Sequence, residues 1–140
     1  MSTLQLRVYY EDTDAGGVVY HARYLAFAER ARTEAMRQTG ASHDELSTQC
    51  GLIFVVRRAE MDYLRPARLD DLLTVTTHTV AVGGASIVLR QSFAVGELPI
   101  GVLRVKLACI GKGDGRPARI PERWRVAFGA KEGEECGSGS

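Results

Sequence analysis

At 140 residues, with 45% hydrophobic and 25% charged side chains, the chain has the size and composition of one globular domain with a full core. A formal net charge of +1 excludes a global pull toward nucleic acid or an anionic membrane, so an anionic ligand must be met by a local basic cluster. The longest apolar run, Leu52 to Val56, falls far short of a membrane span, MSTLQLRVYY lacks the order of a secretion signal, and Cys50, Cys109 and Cys136 lack the CxxC spacing of a zinc site or the even number of a disulfide framework. These features predict a cytoplasmic protein with reduced thiols, without a membrane span or a nucleic-acid partner.

Leu4 to Tyr9 is a short strand candidate, followed by a polar, glycine-bearing loop from Glu11 to Gly17. From about Val19 to Gln38, Tyr20, Tyr24, Phe27, Ala28, Ala31 and Ala35 recur at three- and four-residue spacing. Glu29, Arg30, Arg32, Glu34 and Arg37 take the other side, which predicts one long amphipathic helix stopped at Gly40. Its alanine-rich stripe suits close approach to a sheet. Ser42 with Glu45 three residues on predicts a capped short helix ending near Gly51.

Strand patterns then take over. Leu52 to Arg65 is closed by Pro66, and Leu69 to Val82 and Ala85 to Val95 flank Gly83-Gly84 as a hairpin. In Ile100 to Ile110, Leu103, Val105, Leu107 and Cys109 alternate with Arg104 and Lys106. Pro121 to Phe128 reads as a terminal helical turn. Residues 1–130 form one domain in this reading, and residues 131–140, acidic and then Gly/Ser-only, a disordered tail. One-sided strands joined by hairpins, with one long helix to cover them, predict an α+β fold in the order β-α-β-β-β-β.

The chemistry concentrates in YYEDTDAGGVVYHARYLAFAERARTE, residues Tyr9 to Glu34. Asp14 stands out among its acids, because Gly16 and Gly17 permit close approach by a ligand. Val18 to His21 are expected to offer the free amides of a helix start, which stabilise a developing oxyanion. The competing reading makes Asp12 and Asp14 turn or capping residues. His21 either assists the carboxylate or caps and packs the helix start, while His43 and His78 read as structural. No GxSxG, P-loop or HExxH competes.

These residues closely resemble the hotdog-fold acyl-CoA thioesterases of the 4-hydroxybenzoyl-CoA thioesterase type, and among them the Tol–Pal-associated (YbgC-like) subgroup. The same resemblance runs through MDYLRPARLDDLLTV (Met61 to Val75) and GRPARIPE (Gly115 to Glu122), and so through nearly the whole chain. It implies a helix wrapped by an antiparallel sheet, with Asp14 as the catalytic aspartate and His21 assisting. It places the carbonyl-polarising amide at or beside His21, hence Tyr20 or His21. The implied substrate is an acyl-CoA, hydrolysed to free acid and CoA without metal or other cofactor, Asp14 acting as nucleophile or as general base. The implied assembly is a homodimer or homotetramer with active sites at subunit interfaces. Gly17, Val18 and Tyr24 are expected at the substrate, and Tyr10, Tyr20 and Phe54 are candidate acyl-pocket residues. Arg65 and Arg119 are favoured for the CoA phosphates among Arg57, Arg58, Arg68, Lys112 and Arg116. A non-catalytic acyl-CoA-binding module and a scaffold of an envelope or lipid-synthesis complex are the alternatives.

Overall fold

The computed structural model describes residues 2–129; the expected tail at 131–140 and Cys136 lie outside the described residues. Strand β1 (Ser2–Arg7) leads through a single 3-10 turn (Tyr10–Asp12) to helix α1 (Arg23–Gln38) and helix α2 (His43–Cys50). Strands β2 (Leu52–Tyr63), β3 (Leu72–Val82), β4 (Ser86–Val95) and β5 (Leu98–Gly111) follow, and helix α3 (Glu122–Ala127) ends the described chain. The five strands form one antiparallel sheet in the order β1-β3-β4-β5-β2.

Period-two alternation decides which face of the sheet is dry. Ile87, Leu89, Gln91 and Phe93 on β4 and Leu103, Val105, Leu107 and Cys109 on β5 are buried, whereas Arg90 and Arg104 are exposed. Against this face α1 lays Tyr24, Phe27, Ala28, Ala31 and Met36. Full burial of a side chain such as Phe27 contributes about 1.5–3 kcal/mol. Because Ala28 and Ala31 end at Cβ, the helix axis can lie close to the strands. A helix held in the curve of one antiparallel sheet is the hotdog architecture, as the α+β expectation had it.

Ser42 caps α2 by accepting from the Glu45 amide at 3.1 Å, and Gly51 ends it in the left-handed region at φ +66°. The glycines at 83 and 84 mark a hairpin, but neither adopts a positive φ. They lie under the C-terminal segment instead, the Gly84 carbonyl accepting from the Ile120 amide at 2.8 Å.

Three expectations need correction. Helix α1 begins at Arg23 rather than near Val19, because Val18 and Val19 are held in isolated β-bridges to Arg68 and Thr13. Tyr20 therefore precedes the helix and is 48% exposed instead of joining its buried stripe. Arg32, assigned to the solvent side, is only 8% exposed. None of the helices among the described residues is long and apolar enough to cross a membrane.

Candidate active site

The acidic loop is clamped from both ends. On its own side Asp12, 4% exposed, accepts from Arg23 Nη2 at 2.7 Å and Nε at 3.0 Å through one oxygen, and from the Tyr9 amide at 2.9 Å through the other. The carboxylate is thus consumed in fixing the loop to the first residue of α1. A desolvated carboxylate is tolerable here because both its oxygens have donors.

On the other side lies the connection from β2 to β3. The Val19 amide donates to the Ala67 carbonyl at 2.8 Å, the Leu69 amide to the Gly17 carbonyl at 3.2 Å and the Val8 amide to the Asp71 carbonyl at 2.9 Å. Asp70 takes φ +71°, rare for a residue with a Cβ, and its amide donates to the Val8 carbonyl at 3.0 Å. The Ala67 amide donates to the Tyr24 hydroxyl at 3.1 Å. The RPARLDD stretch is therefore a brace for the loop, a role invisible in the sequence because some fifty residues separate the two.

Of the two aspartates, Asp14 is the exposed one, as is Glu11 at the start of the loop. Its Oδ1 accepts from the Gly16 amide at 2.8 Å, and its own backbone closes a small turn with Val18 and Gly17. Gly17 stands at φ +77°, a conformation that costs a side-chain-bearing residue. His21 is exposed just before α1, with its ring 4.5 Å from that of Tyr20. Its carbonyl accepts from the Tyr63 hydroxyl at 3.2 Å, which ties the end of β2 to the helix start.

The amides at this end are not equivalent. Those of Val19 and Tyr20 are spent on the carbonyls of Ala67 and Asp12. Tyr20 N–H, one of the two expected carbonyl-polarising amides, is thereby ruled out as a free donor. The His21 N–H donates to no acceptor among the described residues.

The other expected residues divide. Gly17 and Val18 belong to the loop. Tyr24 lies beneath the site, 2% exposed, its ring packed edge-on against Phe27, Tyr63 and Phe93. Burial raises its phenol pKa, which keeps the hydroxyl protonated. Burial likewise pushes the Cys109 thiol up to about 11, far from a reactive thiolate. Arg65 and Arg119 are not neighbours in the chain's fold. The Arg65 amide meets the β5 backbone at Ile100, while the Ala118 amide meets it at Cys109, roughly 30 Å along the strand. Tyr10 is 82% exposed and Phe54 packs near His43 at the far end of β2 from Tyr63.

Comparison with known proteins agrees with this architecture. Residues 16–97 match the family model of the thioesterase superfamily. The Acyl-CoA thioesterase YbgC of Haemophilus influenzae is 46% identical over 123 residues, covering 88% of this chain and 90% of that protein. The Acyl-CoA thioester hydrolase YbgC of Escherichia coli O6:H1 is 42% identical over 118 residues, covering 84% and 87%. The crystal structure of a probable thioesterase from Bartonella henselae superposes with a TM-score of 0.80 at 42% identity, covering 85% of this chain and 98% of that one. A domain match over most of the fold, with relatives this similar along most of their length, shows that the chain belongs to the thioesterase superfamily.

Proposed function

We propose that the protein hydrolyses an acyl-CoA thioester to a free acid and CoA, with Asp14 as the catalytic carboxylate. The observation that carries this reading is the division of labour between two acids two residues apart. Asp12 is buried and its carboxylate accepts three hydrogen bonds, while Asp14 is exposed, on a loop hydrogen-bonded to the 66–71 connection, ahead of a helix with an uncommitted amide at His21. In the reaction the thioester oxygen gathers charge against the His21 amide and the positive end of α1. Asp14 either adds to the carbonyl carbon, expelling the CoA thiolate and leaving a mixed anhydride that water cleaves, or removes a proton from the attacking water. His21 assists as a donor near the leaving group.

Gly17 and Val18 line the approach to the carbonyl, and Tyr24 supports the acyl side from below. Arg65 and Arg119 meet CoA phosphates, and because they stand at opposite ends of β5 they serve one ligand only from different subunits. The domain spans residues 1–130 and works as a cytoplasmic homodimer or homotetramer with its active sites between subunits. A non-catalytic binder or a scaffold would need neither an exposed carboxylate in the loop nor a free amide before the helix, and nothing in the site favours either.

The test is thiol release from a panel of acyl-CoAs. Asp14→Asn and Asp14→Ala are expected to lower kcat at least roughly a hundredfold. Folded variants that hydrolyse like wild type overturn the assignment. His21→Ala is expected to lose less, with its main effect in the pH profile.

A further inference from the structure

A second cluster lies some distance from the acidic loop. Arg32 of α1 is 8% exposed and makes one charge-neutral bond, from Nη1 to Gln91 Oε1 at 3.0 Å. Gln91, 0% exposed, is held in turn by the Ala28 carbonyl at 2.9 Å and the Thr77 hydroxyl at 3.0 Å. No carboxylate lies within ion-pair distance of Arg32 among the described residues. Burying an ionised group costs several kcal/mol unless a counter-charge offsets it. Burial lowers the Arg32 pKa, with Glu29 acting weakly the other way.

Arg32 opens onto a cleft of about 470 Å³, whose other walls include Glu29, His43, Phe54, Val56 and Leu107. That volume is in the range of small-molecule sites. No enclosed side-chain nitrogen or oxygen among the described residues lacks a hydrogen-bond partner, so the guanidinium nitrogens that Gln91 leaves unused are not sealed in the core, and Arg32 lines the cleft. The site is thus a cleft with Phe54, Val56 and Leu107 on its apolar side and, on its polar side, Arg32 without an ion-pair partner, Glu29, Thr33 and His43.

The topology links this cleft to the chemistry. β2 is an edge strand, and its residues 56–60 are all exposed. An antiparallel pairing of β2 with β2 of a second copy lays the two ends of the strand together. Centred on residues 57 and 58, such a pairing would set Tyr63 of one copy, with the His21 carbonyl bonded to it, against Leu52 of the other, near the mouth of the Arg32 cleft.

We propose that the Arg32 cleft receives the far end of the acyl group and selects acyl chains that end in a carboxylate. Phe54, Val56 and Leu107 take the methylenes, and Arg32 takes the carboxylate by the paired N–H geometry for which guanidinium is suited. Gln91 is a positioning residue that holds the guanidinium against the helix. The assignment deepens the thioesterase reading and rests on it.

The test compares kcat/KM for adipoyl-, suberoyl- and sebacoyl-CoA with hexanoyl-, octanoyl- and decanoyl-CoA. A charged hydrogen bond of this kind predicts a roughly ten- to hundredfold preference for the diacid ester in at least one pair. Arg32→Met is expected to collapse the ratio, Arg32→Lys to keep part of it, and the exposed Arg90→Met to leave it alone. Binding of the same esters to Asp14→Asn, read by calorimetry, is expected to show the same preference without turnover.

Equal rates and equal binding within every pair overturn the carboxylate site, while hydrolysis of the monoacid esters leaves the thioesterase reading standing. A preference that survives Arg32→Met in the folded variant removes Arg32 from it, and an equal gain for ω-hydroxyoctanoyl-CoA shows that oxygen rather than charge is read. If no ester is hydrolysed the catalytic reading falls, and binding of the six esters to wild type then decides the cleft alone. If Arg32→Met does not fold, the wild-type and Arg32→Lys ratios carry the decision.

Discussion

Asp12 and Asp14 differ by two positions and by almost everything else. One oxygen of Asp12 takes two N–H groups of Arg23 and the other the Tyr9 amide, whereas Asp14 takes one amide and faces solvent. Replacing each by alanine is expected to separate their roles. Asp12→Ala strips Arg23 and Tyr9 of their acceptor and should cost about 1–3 kcal/mol in urea denaturation, with activity falling as the loop loosens. Asp14→Ala should leave the denaturation midpoint within about 0.5 kcal/mol of wild type and abolish turnover, since exposed substitutions rarely matter to stability. Similar midpoints for both variants would contradict this division. His43 adds a pH effect. Burial first, and then the nearby Arg32 charge, hold its pKa below the ordinary value near 6.5. The unfolded chain therefore binds this proton more readily, so stability is full above about pH 6.5 and declines as pH falls through the lowered folded value. His43→Gln is expected to flatten that decline in thermal melts between about pH 7 and 5.

At the scale of elements, the site depends on how the end of β2 is seated. Tyr63 pairs with Gly101 of β5, and a Cβ at Gly101 would meet the Asp62 carbonyl oxygen at 2.8 Å and Met61 Cε at 2.7 Å. The methionine can swing aside, but the carbonyl belongs to the neighbouring strand. Gly101→Ala is therefore expected to destabilise by about 1–3 kcal/mol and to push out the segment that carries Tyr63, with kcat falling as the Tyr63–His21 bond is lost. Chemical denaturation and thiol-release kinetics check the two parts separately. The pattern of alternation was legible for β4 and β5, and parity alone places Gln91 between Leu89 and Phe93 on the inner face. What α1 would set opposite Gln91 was not legible. A helix rotated by one residue turns an arginine from solvent to core, and the Arg32–Gln91 bond settles that rotation.

For the whole molecule the open question is the edge. Strand β2 lies at an edge of the sheet with Val56 51% exposed on it, and an open edge is a liability usually met by association or by charge. Val56→Lys is expected to shift the proposed assembly toward monomer in sedimentation, and because Val56 also lines the Arg32 cleft the sedimentation profile is the readout for the edge. A monomeric variant with full activity would put the complete active site within one chain. By itself the sequence determined the element types, the helix caps at Ser42 and Gly51, the dry face of the sheet and the acidic loop to which we assign the chemistry. Those features follow from local periodicity and from backbone preferences that act over a few residues. Tertiary structure alone decided which of Asp12 and Asp14 is buried, that the Val19 and Tyr20 amides are committed, where α1 begins and that Arg32 is buried. These depend on hydrogen bonds beyond the reach of local periodicity, from Tyr9 and Arg23 to Asp12, from Val19 to Ala67 in the 66–71 connection, and from Arg32 to Gln91.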